Sequence, residues 1–208
     1  LARRKLLPGS EGVDLRRHPA GAPLDERYTK GFVYSDAWVD DARMVVITAM
    51  DAREHGATVL PRTRCARLER SADHSLATLA HTDGRETRVK ARAAVNATGP
   101  WVDRFLDAAT AVPARRHPRM VKGSHIVVPR LFDHDFAYIF QSPDGRIVFA
   151  IPYEREFTLI GTTEKDHAGD LATPSIEEPE IDYLLDMANR YFRRELSRKD
   201  VAWTFAGL

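Results

Sequence analysis

The distribution of hydrophobic positions divides the chain into short strand-like runs and two longer stretches with helical spacing. Apolar residues recur at helical intervals from Asp41 to His55, where Asp40 is a suitable N-cap and Gly56 a suitable terminator. A second long helix is predicted to begin at Pro179, because one apolar stripe follows it. That stripe consists of Ile181, Leu184, Leu185, Ala188 and Phe192.

The remaining apolar runs are short and predict strands. Three antiparallel strands are expected first, with Asp83-Gly84 as the hairpin turn between the last two. Four later runs predict an antiparallel meander, followed by one more strand at residues 201–205. The three strands lie at residues 65–70, 75–82 and 86–90, and the four runs at 124–128, 137–140, 147–151 and 157–161. Short buried strands are also predicted at Ala57–Leu60 and Ala93–Ala97, the second leading into a helix over residues 101–109.

These elements predict an α+β fold, with an antiparallel sheet and a long amphipathic helix beside a smaller unit that holds the three-stranded β unit. Residues 1–30 contain glycine and proline with little periodicity, which predicts an irregular segment. A connection rich in proline and arginine, Val112–Pro118, predicts a crossing between domains. We therefore expect three parts of the chain: an irregular segment at residues 1–30, one domain at residues 31–115 and a second domain at residues 116–208. Residues 31–36 are expected to join the larger sheet.

Composition narrows the class of protein. The chain has 208 residues, of which 43% are hydrophobic and 29% charged, as in soluble globular proteins of one or two domains. A formal net charge of +1 gives no electrostatic reason to expect nucleic acid as a partner. The single cysteine, Cys65, excludes an intramolecular disulfide. No apolar run approaches the roughly 20 residues of a membrane span. The chain begins without methionine, so we expect it to be part of a longer protein.

The turn from Asn96 to Trp101 is the first candidate for chemistry. A strand that ends in Ala97-Thr98-Gly99 brings bare backbone to the carboxyl edge of a sheet, where α/β proteins bind ligands. Gly99 tolerates positive φ and Pro100 suits a first helical position. The turn therefore indicates a cofactor, although a strand-to-helix connection without any ligand has the same sequence. No Gly-x-Gly-x-x-Gly fingerprint for a dinucleotide occurs in the chain.

His125 is the second candidate, at the start of a strongly apolar strand and two residues after Gly123. An imidazole in that position can act as a general base near neutral pH, or can be a core histidine bonded to a backbone carbonyl. Thr162 and Thr163 follow a buried strand and either bind a polar ligand or begin a turn. Arg146 flanks a strand and can bind a phosphate or carboxylate, or be solvated. The histidines have no metal-ligand spacing, so no metal site is predicted.

Several runs, in this order, resemble the FAD-dependent, aerobic glycerol-3-phosphate dehydrogenases over nearly the whole chain. They are residues 31–43, Val95–Trp101, the Lys-Gly-Ser-His-Ile-Val-Val-Pro run at 122–129, Ile151-Pro152-Tyr153, Ile160-Gly161-Thr162-Thr163 and Trp203-Thr204. The resemblance implies a flavoenzyme that oxidises sn-glycerol 3-phosphate to dihydroxyacetone phosphate and passes electrons to a membrane quinone. It makes residues 31–115 a partial FAD-binding domain and residues 116–208 a truncated substrate-binding domain.

The resemblance also implies roles for individual residues. His125 becomes the active-site base, or the group that orients the hydroxyl, and Thr162, Thr163 and Arg146 become substrate-binding candidates. The FAD contacts implied are Arg64, Cys65, Ala97, Thr98 and Gly99. A cytoplasmic protein, peripheral at the inner membrane, is implied as well.

The chain departs from that family's pattern at both ends. The glycine fingerprint that holds the pyrophosphate is missing, and the chain stops at Leu208, before an arginine that the family uses for its substrate. We therefore expect a central fragment that is inactive and binds no FAD alone, and whose unpaired edges favour a homodimer or a disordered N-terminal segment. Two alternatives stay open: a glycerol-3-phosphate oxidase or related FAD-dependent oxidase of amines or hydroxy acids, and a non-catalytic α+β binding module.

Overall fold

A computed structural model describes residues 7–113 and 117–208. The described chain forms two compact units, one containing the residues up to Ser35 together with Arg119–Leu208, the other running from Asp36 to Pro118. Helices and antiparallel sheets make up both, so the fold is α+β, as the sequence predicts. Residues 1–6 of the predicted irregular segment and Ala114–Arg116 of the predicted domain crossing lie outside the described residues.

The helices and strands are numbered in chain order. They are β1 (Glu11–Asp14), β2 (Lys30–Val33), α1 (Asp41–Glu54), β3 (Thr63–Arg70), β4 (Ser75–His81), β5 (Glu86–Ala91), α2 (Val102–Ala109), β6 (Val121–Pro129), β7 (Tyr138–Gln141), β8 (Ile147–Tyr153), β9 (Phe157–Gly161), β10 (Lys165–Asp166), α3 (Glu178–Tyr191) and β11 (Trp203–Gly207). Short 3-10 helices lie at Pro19–Gly21, Gly99–Trp101 and Arg198–Asp200.

The first unit is built on a six-stranded antiparallel sheet in which β6 pairs with β9, β10 and β11. Strands β7, β8 and β9 form a meander, but β6 pairs with β9 and not with β7, which corrects the predicted four-strand meander. Sequence adjacency favours a hairpin between successive strands, whereas β6 has no exposed residue and takes a central place in the sheet, with partners on both of its edges. The register sets His125 opposite Gly161 on β9 and opposite Phe205 on β11.

The core lies between α3 and one face of this sheet. Leu184 and Leu185 of α3 are buried together with Ile126, Val128 and Ile160 of the sheet. The apolar stripe predicted for this helix is therefore confirmed as its buried side, and the helix begins one residue before Pro179. Side chains alternate along a strand, so His125 belongs to the opposite face of the sheet from Ile126.

The N-terminal segment differs from the expectation. Strands β1 and β2 pair with each other as a separate two-stranded sheet, in the register Gly12 to Phe32, so residues 11–14 are not irregular and Lys30–Val33 do not join the larger sheet. Both strands are four residues long and contain a glycine, which weakens the periodic signal that would identify them.

The second unit contains α1, α2 and the three-stranded antiparallel sheet β3-β4-β5. Helix α1 confirms the prediction: the Asp40 side chain accepts a hydrogen bond from the Arg43 amide, and Gly56 follows with φ +93°. The predicted strands Ala57–Leu60 and Ala93–Ala97 are wrong, because both segments are largely exposed and pair with no strand among the described residues.

Candidate functional site

His125 lies at the centre of the exposed face of the large sheet. Its imidazole covers Gly161, where a Cβ atom would come within 2.1 Å of the imidazole Cδ2. On the other side it stacks on the Phe205 ring, with centroids 4.9 Å apart and planes 6° from parallel. The absence of a side chain at Gly161 therefore makes room for the imidazole, and Phe205 fixes its plane. Sequence reasoning missed Phe205, because the register of β11 on β6 is set by the tertiary fold.

The surroundings of the imidazole disfavour its charged form. Burial lowers the pKa of His125 below its usual value, since desolvation disfavours the charged ring. Its Nδ1 atom is buried and has no hydrogen-bond partner within the described residues. The alternative of a core histidine bonded through Nδ1 to a backbone carbonyl is therefore not what the structure contains. A neutral, partly desolvated imidazole can accept a proton, as a general base must.

The strands that surround His125 form an apolar surface, which we call the His125 face. This face is a row of five residues, one from each of five neighbouring strands. They are Phe205 (β11), His125 (β6), Gly161 (β9), Phe149 (β8) and Ile139 (β7). Phe205 and Ile139 of this row are 36% and 38% exposed. On the opposite face of the same sheet, Ile126, Val128 and Ile160 are buried in the core with α3. The face that carries the titratable group is thus the one open to a ligand.

Thr162 lies on the same side of the sheet as the His125 face. A Cβ atom at Gly123 would come within 2.5 Å of the Thr162 hydroxyl oxygen, so that side chain lies over Gly123. Gly123 is two residues before His125 on the same strand and therefore on the same face. The structure thus brings Thr162 and His125 side by side, as two of the predicted site residues.

Thr163 has a different role from the predicted substrate contact. Its side chain is 4% exposed, and its hydroxyl donates to Glu180 Oε1 at 2.7 Å while accepting from the Ser124 amide at 3.0 Å. Both bonds lie on the α3 side of the sheet. The hydroxyl is fully used inside the fold, so the geometry favours a structural role for Thr163.

The guanidinium group of Arg146 is also bonded within the fold. Its Nε and Nη2 atoms donate to Asp144 Oδ2 at 2.8 and 2.5 Å, and its guanidinium carbon lies 4.0 Å from the centre of the Tyr183 ring. It precedes Phe149 of the His125 face by three residues, about 10 Å of extended strand. The structure therefore does not bring Arg146 to His125, and the contacts favour a role in fixing the β7–β8 turn against α3.

The remaining predicted residues all lie in the second unit. Arg64 is exposed on β3, and Cys65 is half-buried, with its Sγ donating to the Arg67 carbonyl at 3.5 Å beside a β-bulge. Helix α2, which follows the Ala97–Gly99 turn, packs on this strand. The turn and the two β3 residues thus belong to one packed unit.

The Ala97–Gly99 turn has the local structure that its sequence predicts. The Asn96 side chain accepts hydrogen bonds from the amide and hydroxyl of Thr98 and donates to the Val102 carbonyl at 3.1 Å. Gly99 has φ +56°, and a Cβ atom there would meet no atom within 4 Å. The backbone of the turn is therefore fixed by Asn96, and the space beside the Gly99 Cα is open.

Two further findings concern metal ions and membranes. Among residues 7–113 and 117–208, no three His, Cys, Asp or Glu side chains come together as a metal ion would require. In the same ranges no helix has the length and hydrophobicity needed to cross a bilayer.

Comparison with known proteins identifies the class. The family of FAD-dependent oxidoreductases, abbreviated DAO, matches residues 1–208, and the chain belongs to that family. A glycerol-3-phosphate dehydrogenase from Bacillus halodurans, solved in complex with FAD, is 28% identical and superposes with a TM-score of 0.76 over 88% of this chain and 38% of its own. An FAD-bound L-alpha-glycerophosphate oxidase from Mycoplasma pneumoniae, 16% identical with a TM-score of 0.72, covers 95% of this chain and 52% of its own and shares the fold.

Curated relatives are more similar in sequence. The chain is 45% identical to a glycerol-3-phosphate dehydrogenase of Pseudomonas aeruginosa and 44% identical to the aerobic enzyme of Escherichia coli, covering 100% of this chain and 40% and 41% of theirs. It is also 44% identical to a D-erythritol 1-phosphate dehydrogenase of Brucella abortus, covering 100% of this chain and 42% of that protein. The chain thus spans about two fifths of the length of these relatives.

Proposed function

We propose that the protein carrying this chain is a flavoenzyme that oxidises sn-glycerol 3-phosphate to dihydroxyacetone phosphate. One observation carries the proposal: the His125 imidazole lies between Gly161 and Phe205 on the side of the sheet opposite the core. Membership of the FAD-dependent oxidoreductases supports the cofactor, and the glycerol-3-phosphate dehydrogenases among the relatives support the substrate.

The described residues fit FAD in two respects. The Ala97–Gly99 turn presents open backbone above Gly99, which is a suitable contact for a dinucleotide. In the first unit, the His125 face presents the aromatic ring of Phe205 at 36% exposure, and an apolar surface suits the ring system of a flavin. In the proposal, the first unit is a substrate-binding domain and the second a partial FAD-binding domain. Arg64, Cys65, Ala97, Thr98 and Gly99 are the residues that we assign to FAD.

The chemistry divides between the cofactor and His125. Bound FAD supplies the acceptor for a hydride. As the C2–H bond of the substrate breaks, the hydroxyl proton passes to the lone pair of the neutral His125 imidazole, and the O–H electron pair forms the new carbonyl bond. Thr162, beside His125, is assigned to hold the polyol: its hydroxyl donates to the Thr163 carbonyl at 3.0 Å, and its oxygen can accept a hydrogen bond from a hydroxyl of the polyol. Thr163 and Arg146 are left out of this assignment because their polar groups are committed within the fold.

A second candidate substrate is D-erythritol 1-phosphate. The relative named for it is 44% identical to this chain, about as similar as the glycerol-3-phosphate dehydrogenases at 43–45%. Both compounds have a phosphate on a terminal carbon and a hydroxyl on the next carbon. The same base and hydride acceptor would therefore serve either one.

The test uses the full-length protein that carries this chain, purified with its flavin bound. Under anaerobic conditions we expect glycerol 3-phosphate to bleach the visible flavin absorbance, and we expect His125→Asn to slow that bleaching by about a hundredfold. A parallel titration with D-erythritol 1-phosphate decides between the two substrates by the ratio of kcat/KM values. Failure of both compounds to reduce the flavin would overturn the proposal.

The proposal also covers the electron acceptor, attachment to the membrane and the oligomeric state. We propose a membrane quinone as the electron acceptor, and peripheral attachment to the membrane follows from that choice. Quinone reduction measured against oxygen consumption separates this enzyme from the oxidase alternative. The expected homodimer stays a prediction, which light scattering on the purified protein tests.

A further inference from the structure

A buried polar cluster lies directly behind the His125 face. It consists of Lys122, Ser124, Thr163 and Glu180, and we call it the Glu180 cluster. Relative exposures of its members run from 0% to 6%. Lys122 and Ser124 precede His125 on β6, Thr163 follows Thr162, and Glu180 is in the first turn of α3. The cluster thus borders both residues that the proposed function assigns to the substrate.

Glu180 is the centre of the cluster. Its Oε1 accepts hydrogen bonds from the hydroxyls of Ser124 and Thr163 at 2.8 and 2.7 Å, and its Oε2 lies 2.7 Å from Lys122 Nζ. Its Oε2 also accepts the Glu177 amide at 2.9 Å, which completes a capping box at the start of α3. One carboxylate therefore joins two segments of the sheet to the beginning of a helix.

The charges in the cluster are compensated. Burial opposes ionisation of Glu180, but hydrogen bonds from Lys122, Thr163, the Glu177 amide and Ser124 lower its pKa to about 2. Burial likewise opposes the charge on Lys122, and its bonds to Glu180 and Glu177 raise its pKa. Buried ion pairs seldom stabilise a fold more than apolar side chains of similar size would. The benefit of this cluster therefore has to be sought in the geometry that it imposes.

That geometry concerns the opposite face of the sheet. Lys122 and Ser124 have their side chains on the α3 side, so the Cα hydrogen of Gly123 that a side chain would replace and the side chain of His125 point to the opposite side, that of the His125 face. The amide of Thr163 donates to the Ser124 carbonyl at 3.2 Å, and the amide of Ser124 donates back to the Thr163 hydroxyl at 3.0 Å. These bonds fix the backbone on both sides of the pair that forms the site, His125 and Thr162.

We propose that the Glu180 cluster positions His125 and Thr162 for the reaction. Glu180 and Thr163 are positioning residues, which act through the backbone of β6 and of the segment after β9 and do not touch the substrate. This inference rests on the proposed function. It assigns to Thr163 a role that neither its predicted substrate contact nor simple packing describes.

The test compares variants of Thr163 in the flavin-loaded protein. Thr163→Val keeps the shape of the side chain but removes the bonds to Glu180 and Ser124, whereas Thr163→Ser keeps the hydroxyl. We expect Thr163→Val to lower kcat by about tenfold to a hundredfold, as misplacement of a catalytic group by about 1 Å does. We expect KM to change less than about twofold, and Thr163→Ser to restore most of kcat.

Arg198→Gln is the matched control. Arg198 forms a two-bond ion pair with Asp182 on the exposed side of the same helix, at 2.8 and 2.6 Å. Its loss tests whether weakening α3 alone lowers kcat, and we expect no change in kcat. A drop in kcat equal to that of Thr163→Val, or failure of Thr163→Ser to restore activity, would overturn the positioning role.

A second measurement does not depend on turnover. In protein labelled at histidine with ¹³C, the ring signal of His125 is identified by its loss in His125→Asn. We expect this signal to shift in Thr163→Val and to stay in place in Thr163→Ser and Arg198→Gln. An unmoved signal in Thr163→Val would refute positioning. A shifted signal in a protein that oxidises no polyol phosphate would refute the proposed function and leave positioning supported.

Discussion

The imidazole of His125 occupies the space that a side chain at Gly161 would fill. A Cβ atom at Gly161 would lie 2.1 Å from Cδ2 and 2.7 Å from Nε2 of that ring, and real Cβ atoms essentially never come within 3.0 Å of such a neighbour. The two residues are directly opposite each other on neighbouring strands. The identity of one residue thus determines the position of the other.

We expect Gly161→Ala to displace the His125 ring and to lower kcat by about a hundredfold, because general-base catalysis requires the base within hydrogen-bond reach of the substrate. Gly207→Ala is the matched control: Gly207 belongs to the same sheet, and a Cβ atom there meets no atom within 4 Å. Steady-state kinetics of the two flavin-loaded variants provide the measurement. Equal activity of both would show that the close packing has no role in turnover.

The decrease of kcat/KM at low pH should report the protonation of His125. Burial lowers the pKa of this imidazole from its ordinary value of 6.5, so its neutral form persists at lower pH than that of a solvated histidine. We expect kcat/KM to fall as the pH is lowered, with an apparent pKa below 6.5. We expect this decrease at low pH to disappear in His125→Asn. A decrease that survives in His125→Asn would assign the proton to another group.

A second histidine makes the stability of the first unit depend on pH. His134 Nε2 lies 2.8 Å from the Tyr138 hydroxyl, which itself donates to the Ala20 carbonyl, so we assign the imidazole proton to Nε2. Its Nδ1 is buried without a partner within the described residues. Protonation would therefore bury an N–H group without an acceptor, and burial lowers the pKa of His134.

The sign of this effect follows from linkage. The unfolded chain takes up the proton at higher pH than the folded chain. The contribution of neutral His134 to the free energy of unfolding is therefore complete above pH 6.5, and it is lost as the pH falls towards the pKa of His134 in the folded chain. Urea denaturation at about pH 7.5 and about pH 5 measures this loss. We expect His134→Gln to reduce it and the exposed-site control His55→Gln to leave it unchanged. An unchanged loss in His134→Gln would contradict the assignment.

Arg146→Met separates a structural arginine from a substrate ligand. The guanidinium stacks on Tyr183 and pairs with Asp144, both at partly exposed positions, so we expect a loss of about 1 kcal/mol in the free energy of unfolding. KM for the polyol phosphate should change less than about twofold. A tenfold rise in KM without loss of stability would restore the substrate contact that the sequence indicates.

The sequence predicts the helices well because their signals are local. The N-cap at Asp40 and the glycine after α1 act within one turn of the chain, and the stripe of α3 repeats at the helical period. The hairpin turn at Gly84, which has φ +83°, is equally local. Such features need no knowledge of what the element packs against.

Strand pairing is where prediction from sequence fails. The partner of β6 is β9 and not the next strand along the chain, and β1 pairs with β2 apart from the main sheet. Ala57–Leu60 and Ala93–Ala97 have the composition of strands but no pairing in the described residues. A strand exists only when a second segment supplies its hydrogen-bond partners, and such partners can lie anywhere in the chain.

For the candidate site, the sequence by itself singled out His125, Thr162, Thr163 and Arg146 through their residue types and their places at strand ends. It also determined the α+β class through its periodicities, and through its motifs it indicated the family. Only the tertiary structure decided which of these groups face a common surface, because the side of a sheet and the partner of a strand depend on register. The register placed Phe205 and Gly161 around His125 and turned Thr163 towards Glu180, on the other side of the sheet.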